Sequence, residues 1–290
     1  LQNVWTEIVI PLECNVPISI SQGDRTLSLT LYNVTSQTDT IAINPDSIIN
    51  KLEWLQYDPD KVTYTISLKP KQQWGYKVRY QGTNLIVSLK HPPVLSTTNK
   101  EQQPLNGTKI LLDAGHGGNE DSGSRGPTGY PEKDVALIVT KLLKEELQNR
   151  GAKVVMTRTD DIDLDLAPRV AKIGQEEPTL AISLHYNALP DNGDALNTSG
   201  IGAFWYNSHS QDFAKFIHNY VAQKLHRREY GVYWNNLALV RSTVSPAVLL
   251  ELGFMINPDE FEWIIDPLQQ KLLAKTLADG ITEWMLNAAN

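Results

Sequence analysis

The feature that most limits the fold is a change of texture near residue 91. Residues 1–90 read as consecutive strands: Thr6–Leu12, Thr26–Val34, Lys61–Lys69 and Tyr76–Lys90 are rich in Val, Ile, Thr and Tyr and alternate with period two. The turn residues Gln81-Gly82-Thr83-Asn84 fold the last of these into a hairpin. With no helical pattern between them, these strands predict a small all-β sandwich over residues 1–92. His91-Pro92-Pro93 ends the run, and Ser96 to Pro104 offers little apolar surface to bury, so residues 93–108 read as a linker.

From residue 109 strands and helices alternate. Ile110–Asp113 is a short apolar strand. Glu132–Arg150 is helical, because Val135, Ile138, Val139, Leu142, Leu143 and Leu147 recur on one face. Gly151 stands where a helix C-cap belongs. Lys153–Arg158, Leu180–His185, Gly202–Tyr206 and Ala247–Phe254 read as further strands, and Pro168–Gly174, Gln211–Arg227 and Pro267–Leu286 as helices. The alternation predicts an α/β domain over 109–290, with helices on both faces of its sheet.

Composition narrows the function classes. A chain of 290 residues suits two domains, and 41% hydrophobic with 20% charged residues is ordinary for folded protein. A formal net charge of −7 argues against a nucleic-acid surface or capture by an anionic membrane, which need clustered Lys and Arg. The lone Cys14 excludes an internal disulfide and a cysteine-based zinc site. No apolar run reaches the roughly eighteen residues of a membrane span. The segment beginning Leu1-Gln2-Asn3 has neither the basic stretch nor the apolar run of a signal peptide; if the protein is exported, its signal peptide is expected to be missing from this sequence.

The most informative positions are ionisable groups set in apolar strands. Glu251 interrupts Val248-Leu249-Leu250-Glu251-Leu252-Gly253-Phe254, and a buried carboxylate is costly unless paired or near a metal. The plainer alternative is a strand end turned to solvent. His185 closes Leu180-Ala181-Ile182-Ser183-Leu184-His185, and His116 follows the first strand within Ala114-Gly115-His116-Gly117-Gly118. Ligands of open α/β sheets gather at the carboxyl ends of strands, where these three side chains converge. Glu132 and Asp134 both open the long helix, where carboxylates are favoured by the helix dipole, so chemistry alone does not choose between them. His209, His218 and His226 have no acidic partner nearby in sequence and read as surface or packing residues.

In order along the chain stand Leu112-Asp113-Ala114-Gly115-His116-Gly117-Gly118, Glu132-Lys133-Asp134-Val135, Met156-Thr157-Arg158-Thr159-Asp160, Ser183-Leu184-His185-Tyr186-Asn187-Ala188 and Leu250-Glu251-Leu252-Gly253-Phe254. On these motifs residues 107–290 resemble zinc-dependent N-acetylmuramoyl-L-alanine amidases of the amidase 3 family. The resemblance implies a mixed sheet flanked by helices, zinc (Zn2+) held by His116, Glu132 and His185, and Glu251 as the catalytic carboxylate. It also implies peptidoglycan as substrate and an export destination in the periplasm or cell envelope. Two departures stand out: Ala136 replaces the family's usual Asn, and Asn119–Pro131 is slightly longer than usual. Some relatives block the metal with a helical insertion after the second histidine motif; here Leu189–Ser199 is short and polar, so no such plug is expected. The β-rich first part resembles the accessory AMIN domain in strand content and position. A zinc peptidase acting on stem peptides and a non-catalytic wall-binding protein are the alternative readings.

Overall fold

The computed structural model describes residues 4–37, 41, 43, 48–95, 103–190 and 192–289. Its chain divides into two compact units, Leu1–Pro92 and Pro93–Asn290. Residues 96–102 of the expected linker lie outside the described residues.

The first unit contains β1 (Trp5–Ile10), β2 (Ile18–Gln22), β3 (Thr26–Tyr32), β4 (Ile49–Asp58), β5 (Lys61–Leu68), β6 (Tyr76–Gln81) and β7 (Asn84–Lys90). They form two antiparallel sheets, ordered β1-β7-β6 and β2-β3-β5-β4. Leu27, Leu29 and Leu31 of β3 are buried at alternate positions, as are Val62, Tyr64, Ile66 and Leu68 of β5. Strand alternation turns them to one side, where they meet Leu85, Val87 and Leu89 of the other sheet in one core. That is the expected sandwich. The sequence reading omitted β2 and β4, which are the two edges of the larger sheet in this unit. Edge strands carry polar and charged residues that discourage further pairing, and Lys51 and Glu53 of β4 are of this kind.

The second unit is built from β8 (Lys109–Ala114), α1 (Glu132–Asn149), β9 (Lys153–Met156), α2 (Leu166–Glu176), β10 (Leu180–Asn187) and β11 (Ile201–Trp205). It continues through α3 (Ser208–Lys224), β12 (Glu229–Trp234), a 3-10 turn at Ala238–Arg241, β13 (Ala247–Phe254), α4 (Pro258–Ile265) and α5 (Pro267–Ala288). The sheet order is β12-β11-β13-β10-β8-β9. All neighbours are parallel except β11 and β13, so the sheet is mixed. Helix α1 lays Val135, Val139, Leu143 and Leu147, all fully buried, along one face. Burying such a side chain stabilises by roughly 1.5–3 kcal/mol. On the other side, Leu111, Ala181 and Ala247 of three adjacent strands pack with Ile173 of α2 and Leu239 of the 3-10 turn. The sheet is thus flanked by helices.

Three elements, β12, the 3-10 turn and α4, were not anticipated. Strand β12 follows a helix that ends sooner than expected, at Lys224. Helix α4 has Asn257 as its cap, accepting from the Glu260 amide, with Pro258 in the first turn. His209 and His218 are buried and bonded to backbone carbonyls, of Ser242 and Ser245 and of Ile201 respectively, while His226 is exposed.

Candidate metal centre

Strands β8, β10 and β13 run parallel and end on the same side of the sheet. Beyond β8 the chain turns sharply: His116 has φ 57, and Gly117 and Gly118 follow at φ 140 and 74. A left-handed histidine stores strain of order 1–3 kcal/mol unless its surroundings fix it. Two arginines do so. Arg169 donates to the carbonyls of Ala114 and His116 at 2.7 Å each. Arg158 donates to the carbonyls of Ala114, Gly115 and Lys133 at 3.0, 2.8 and 2.9 Å. The turn at the end of β8 is therefore held by guanidinium groups, and the chain beyond it by the bridges Gly117–Asp121 and Arg125–Pro131.

Under this turn lies Asp113, 1% exposed. Its carboxylate accepts from Thr157 and Ser183 hydroxyls at 2.6 Å each and from Arg169 at 2.8 Å. Burial penalises its charge, but Arg169 and the two hydroxyls outweigh that and hold it below the usual carboxylate range.

His116, Glu132 and His185 come together. The His116 Nε2 and Glu132 Oε1 atoms are 3.2 Å apart, His185 Nδ1 and Glu132 Oε1 3.1 Å, and the two ring nitrogens 3.2 Å. Among the described residues this is the one group of three His, Cys, Asp or Glu side chains placed to hold a metal ion. Asp134, two residues beyond Glu132, is not part of it. The Glu132 carboxylate is fixed from behind: Oε2 accepts from the Ser124 amide and hydroxyl at 2.8 and 2.9 Å, and Oε1 from the Tyr186 amide at 2.9 Å. On the far side of His116, Nδ1 bonds Asp121 Oδ1 at 2.6 Å. Gly115 makes room for His185, because a Cβ there would lie 2.4 Å from the His185 ring.

The electrostatics are those of a cluster tied together by protons. Burial disfavours the His116 imidazolium, but bonds to Glu132 and Asp121 overcome it and push its pKa up to about 9. His185 is also raised, Glu132 outweighing burial. Burial opposes the Glu132 charge, yet both histidines hold its pKa well below normal. Two imidazoles and a carboxylate converging within hydrogen-bond distance form a donor set that suits zinc and leaves a fourth position open. The carboxylate behind His116 and the amides behind Glu132 are the outer partners such ligands need.

Glu251 stands next to this group, paired in register with His185 across β10 and β13. Its Oε2 is buried and has no hydrogen-bond partner among the described residues. Burial, against the pull of His185, and the nearby Glu132 charge push it up to about 7. A cavity of about 250 Å³ opens on His116 and His185, bordered by Asp163, Leu164, Leu166 and Leu239. Residues 188–200, which follow β10, contain no helix among the described residues. Asn257 anchors that stretch through the carbonyls of Ala195, Leu196 and Thr198.

Several of these partners were not singled out in the sequence. Asp113 could have been, since a carboxylate in an apolar strand raises the same question as Glu251. Arg158 and Tyr186 stood in quoted motifs without a role assigned to them, and Arg169 and Ser124 gave no signal.

The larger unit has the fold of solved amidase domains. The catalytic domain of CwlV, an N-acetylmuramoyl-L-alanine amidase from Bacillus (Paenibacillus) polymyxa var. colistinus, is 33% identical with a TM-score of 0.57, covering 62% of this chain and 99% of that one. An N-acetylmuramoyl-L-alanine amidase from Clostridium difficile 630 is 30% identical with a TM-score of 0.58, covering 62% and 97%. In sequence, "Probable cell wall amidase LytH" of Staphylococcus aureus is 34% identical over 190 residues, 65% of this chain. The chain spans 62% of the length of that curated relative. A family profile described as N-acetylmuramoyl-L-alanine amidase matches residues 110–283, and the chain belongs to that family.

Proposed function

We propose that this protein is a zinc-dependent N-acetylmuramoyl-L-alanine amidase that hydrolyses the amide between N-acetylmuramic acid and the L-alanine of the stem peptide in peptidoglycan. The observation that carries the reading is a buried carboxylate with an unpartnered oxygen, Glu251, beside the His116, Glu132 and His185 cluster. Family membership supplies the substrate class.

In this reading His116 Nε2, His185 Nδ1 and Glu132 Oε1 hold the ion, and Asp121 keeps the His116 proton on Nδ1 so that Nε2 is free to ligate. A zinc ion held there would supply Lewis acidity and would lower the pKa of water from ~15.7 toward ~7. Glu251 Oε2 accepts the proton of the attacking water and delivers it to the leaving amine, which ends as the free amino group of L-alanine. Its elevated pKa suits both halves of that task, since a group poised near neutral pH can take and return a proton. The described residues of the stretch after β10 contain no helix, which supports turnover without a relieving partner.

The first unit is read as an AMIN-like domain that holds the enzyme against the wall, in the periplasm or elsewhere in the envelope. Among the described residues no helix is long and apolar enough to cross a membrane.

The test is digestion of purified peptidoglycan by the full chain with zinc, comparing wild type and Glu251→Ala, with products weighed by mass spectrometry. Free stem peptides beginning at L-alanine, from the wild type alone, are expected. Fragments cut within the stem peptide would show a peptidase instead. No product despite one equivalent of bound zinc would favour a wall-binding protein.

A further inference from the structure

Strand β12 is the outer edge of the larger sheet. Edge strands usually guard themselves with charge. Here Tyr230 and Tyr233 are 38% and 42% exposed. They are not loose. The Tyr233 ring stacks on Phe204 of β11, with centroids 5.6 Å apart and planes 30° from parallel. Tyr230 tilts against Tyr233 at 5.6 Å, and the Tyr233 hydroxyl donates to the Tyr230 carbonyl at 2.7 Å. An ordered aromatic surface therefore stands open at this edge.

Gly202 joins that surface to the metal centre. It pairs with Glu251 on one side and with Gly231 of β12 on the other. A Cβ on Gly202 would meet the Tyr230 ring at 3.3 Å, Glu251 Cβ at 3.5 Å and the Phe204 ring at 3.7 Å. Those three side chains consequently share one face of the sheet, the face on which His185 stands beside Glu251. Two strand spacings, about 10 Å, separate Glu251 from the edge strand. Gly202 is itself buried, so the Tyr230 and Phe204 rings close over it and bring the aromatic surface up to the side of Glu251.

The two sides of the centre differ in chemistry. The cavity at His116 is bordered by the carboxyl groups of Glu120, Asp121, Asp163 and Asp165 together with Leu164, Leu166 and Leu239. The shelf toward β12 presents the rings of Phe204, Tyr230 and Tyr233. A stem peptide carries charges and suits the first surface. A glycan strand is neutral along its sugar faces, where C–H groups lie flat on aromatic rings while hydroxyl and acetamido groups reach water. A contiguous exposed apolar surface that runs into a reactive site marks a ligand groove.

We propose that Tyr230, Tyr233 and Phe204 form a glycan subsite, taking the N-acetylated amino sugars next to the residue that bears the scissile amide. The inference rests on the amidase reading for the placement of that residue. The rings are positioning and specificity groups; none touches the reacting atoms. The enzyme then senses the polysaccharide as well as the amide, and favours intact strands over released muramoyl peptides.

The test uses the full chain and tetra-N-acetylchitotetraose as the probe, with binding followed by calorimetry. Saturable binding by the wild type is expected, about tenfold weaker in Tyr233→Ala and retained in Tyr233→Phe, which keeps the ring stack. Trp234→Ala serves as the control, because Trp234 stacks on Tyr206, at 5.4 Å between centroids, and is not one of the three rings of the shelf. In turnover, Tyr233→Ala raises KM for glycan-linked substrate about tenfold at unchanged kcat, and leaves a single-sugar muramoyl dipeptide unaffected. Absence of oligosaccharide binding by the wild type, or equal loss in Trp234→Ala, overturns the subsite. So does a dimer in sedimentation that Tyr233→Ala dissociates, since the shelf would then cover a second copy of the chain. Binding needs no turnover, so failure of the amidase reading shows separately, as no hydrolysis of either substrate.

Discussion

Replacing Arg169 by Leu tests whether the turn that carries His116 is held by one buried ion pair. Arg169 and Asp113 are both about 3% exposed or less, their contact is 2.8 Å, and the same guanidinium also serves the carbonyls of Ala114, His116 and Leu164. Removing one partner of a buried pair costs about 3–5 kcal/mol, because the remaining charge is left without compensation. The Thr157 and Ser183 hydroxyls stay on Asp113 and place the expected loss toward the lower end of that range. A cost of about 3 kcal/mol corresponds to roughly a hundredfold larger opening constant. Hydrogen-exchange mass spectrometry of β8 and β10 reads this directly, as protection lowered by that factor in the full chain. Asp113→Asn in the Arg169→Leu background removes the stranded charge and recovers part of the protection. A loss below tenfold in the single variant, or further loss in the double variant, would refute the argument that charge burial governs this turn.

The remaining predictions concern the centre itself. Asp121→Ala removes the partner of His116 Nδ1 and weakens zinc binding 10–100-fold, measured by chelator competition, with little change in kcat at saturating zinc. Gly115→Ala drives a Cβ into the His185 ring at 2.4 Å, so metal analysis finds it zinc-free while circular dichroism stays native. Apparent zinc affinity rises with pH up to about 9, because the metal-free His116 imidazolium must lose its proton before it can ligate. In metal-free protein the sign is opposite for stability. The His116 contribution is complete below the unfolded value near 6.5 and is lost as pH rises through about 9, which urea titrations in chelator across that window detect.

Legibility in the sequence followed burial cost. His116, His185 and Glu251 stood out because a polar group at the end of an apolar strand demands an explanation, and the sheet registers put His185 directly beside Glu251. Helix-dipole reasoning left Glu132 and Asp134 equal. The difference between them is rotational: the first residue of α1 turns under the sheet, 2% exposed, and the third does not. The sequence could not show that Arg158 and Arg169 turn inward, since an arginine on a strand end or an amphipathic helix ordinarily lies in water. Backbone donors such as the Tyr186 amide leave no trace in residue types at all. Among elements, the long apolar and periodic ones were readable. Edge strands β2, β4 and β12 were not, because serines and charged residues dilute the apolar pattern of β2 and β4 and register shifts interrupt the alternation of β4 and β12.

His116 and His185 lie 69 residues apart in the chain. An ion clasped by both, with Glu132 between them, works as a reversible cross-link around that loop. A permanent link of that span lowers the entropy of the unfolded chain by an amount worth about 4 kcal/mol. Unlike a disulfide it needs no oxidant and suits a chain whose one cysteine, Cys14, is free. Zinc supply would then set how long the larger unit stays folded, and a chelator would shorten that time without breaking any covalent bond.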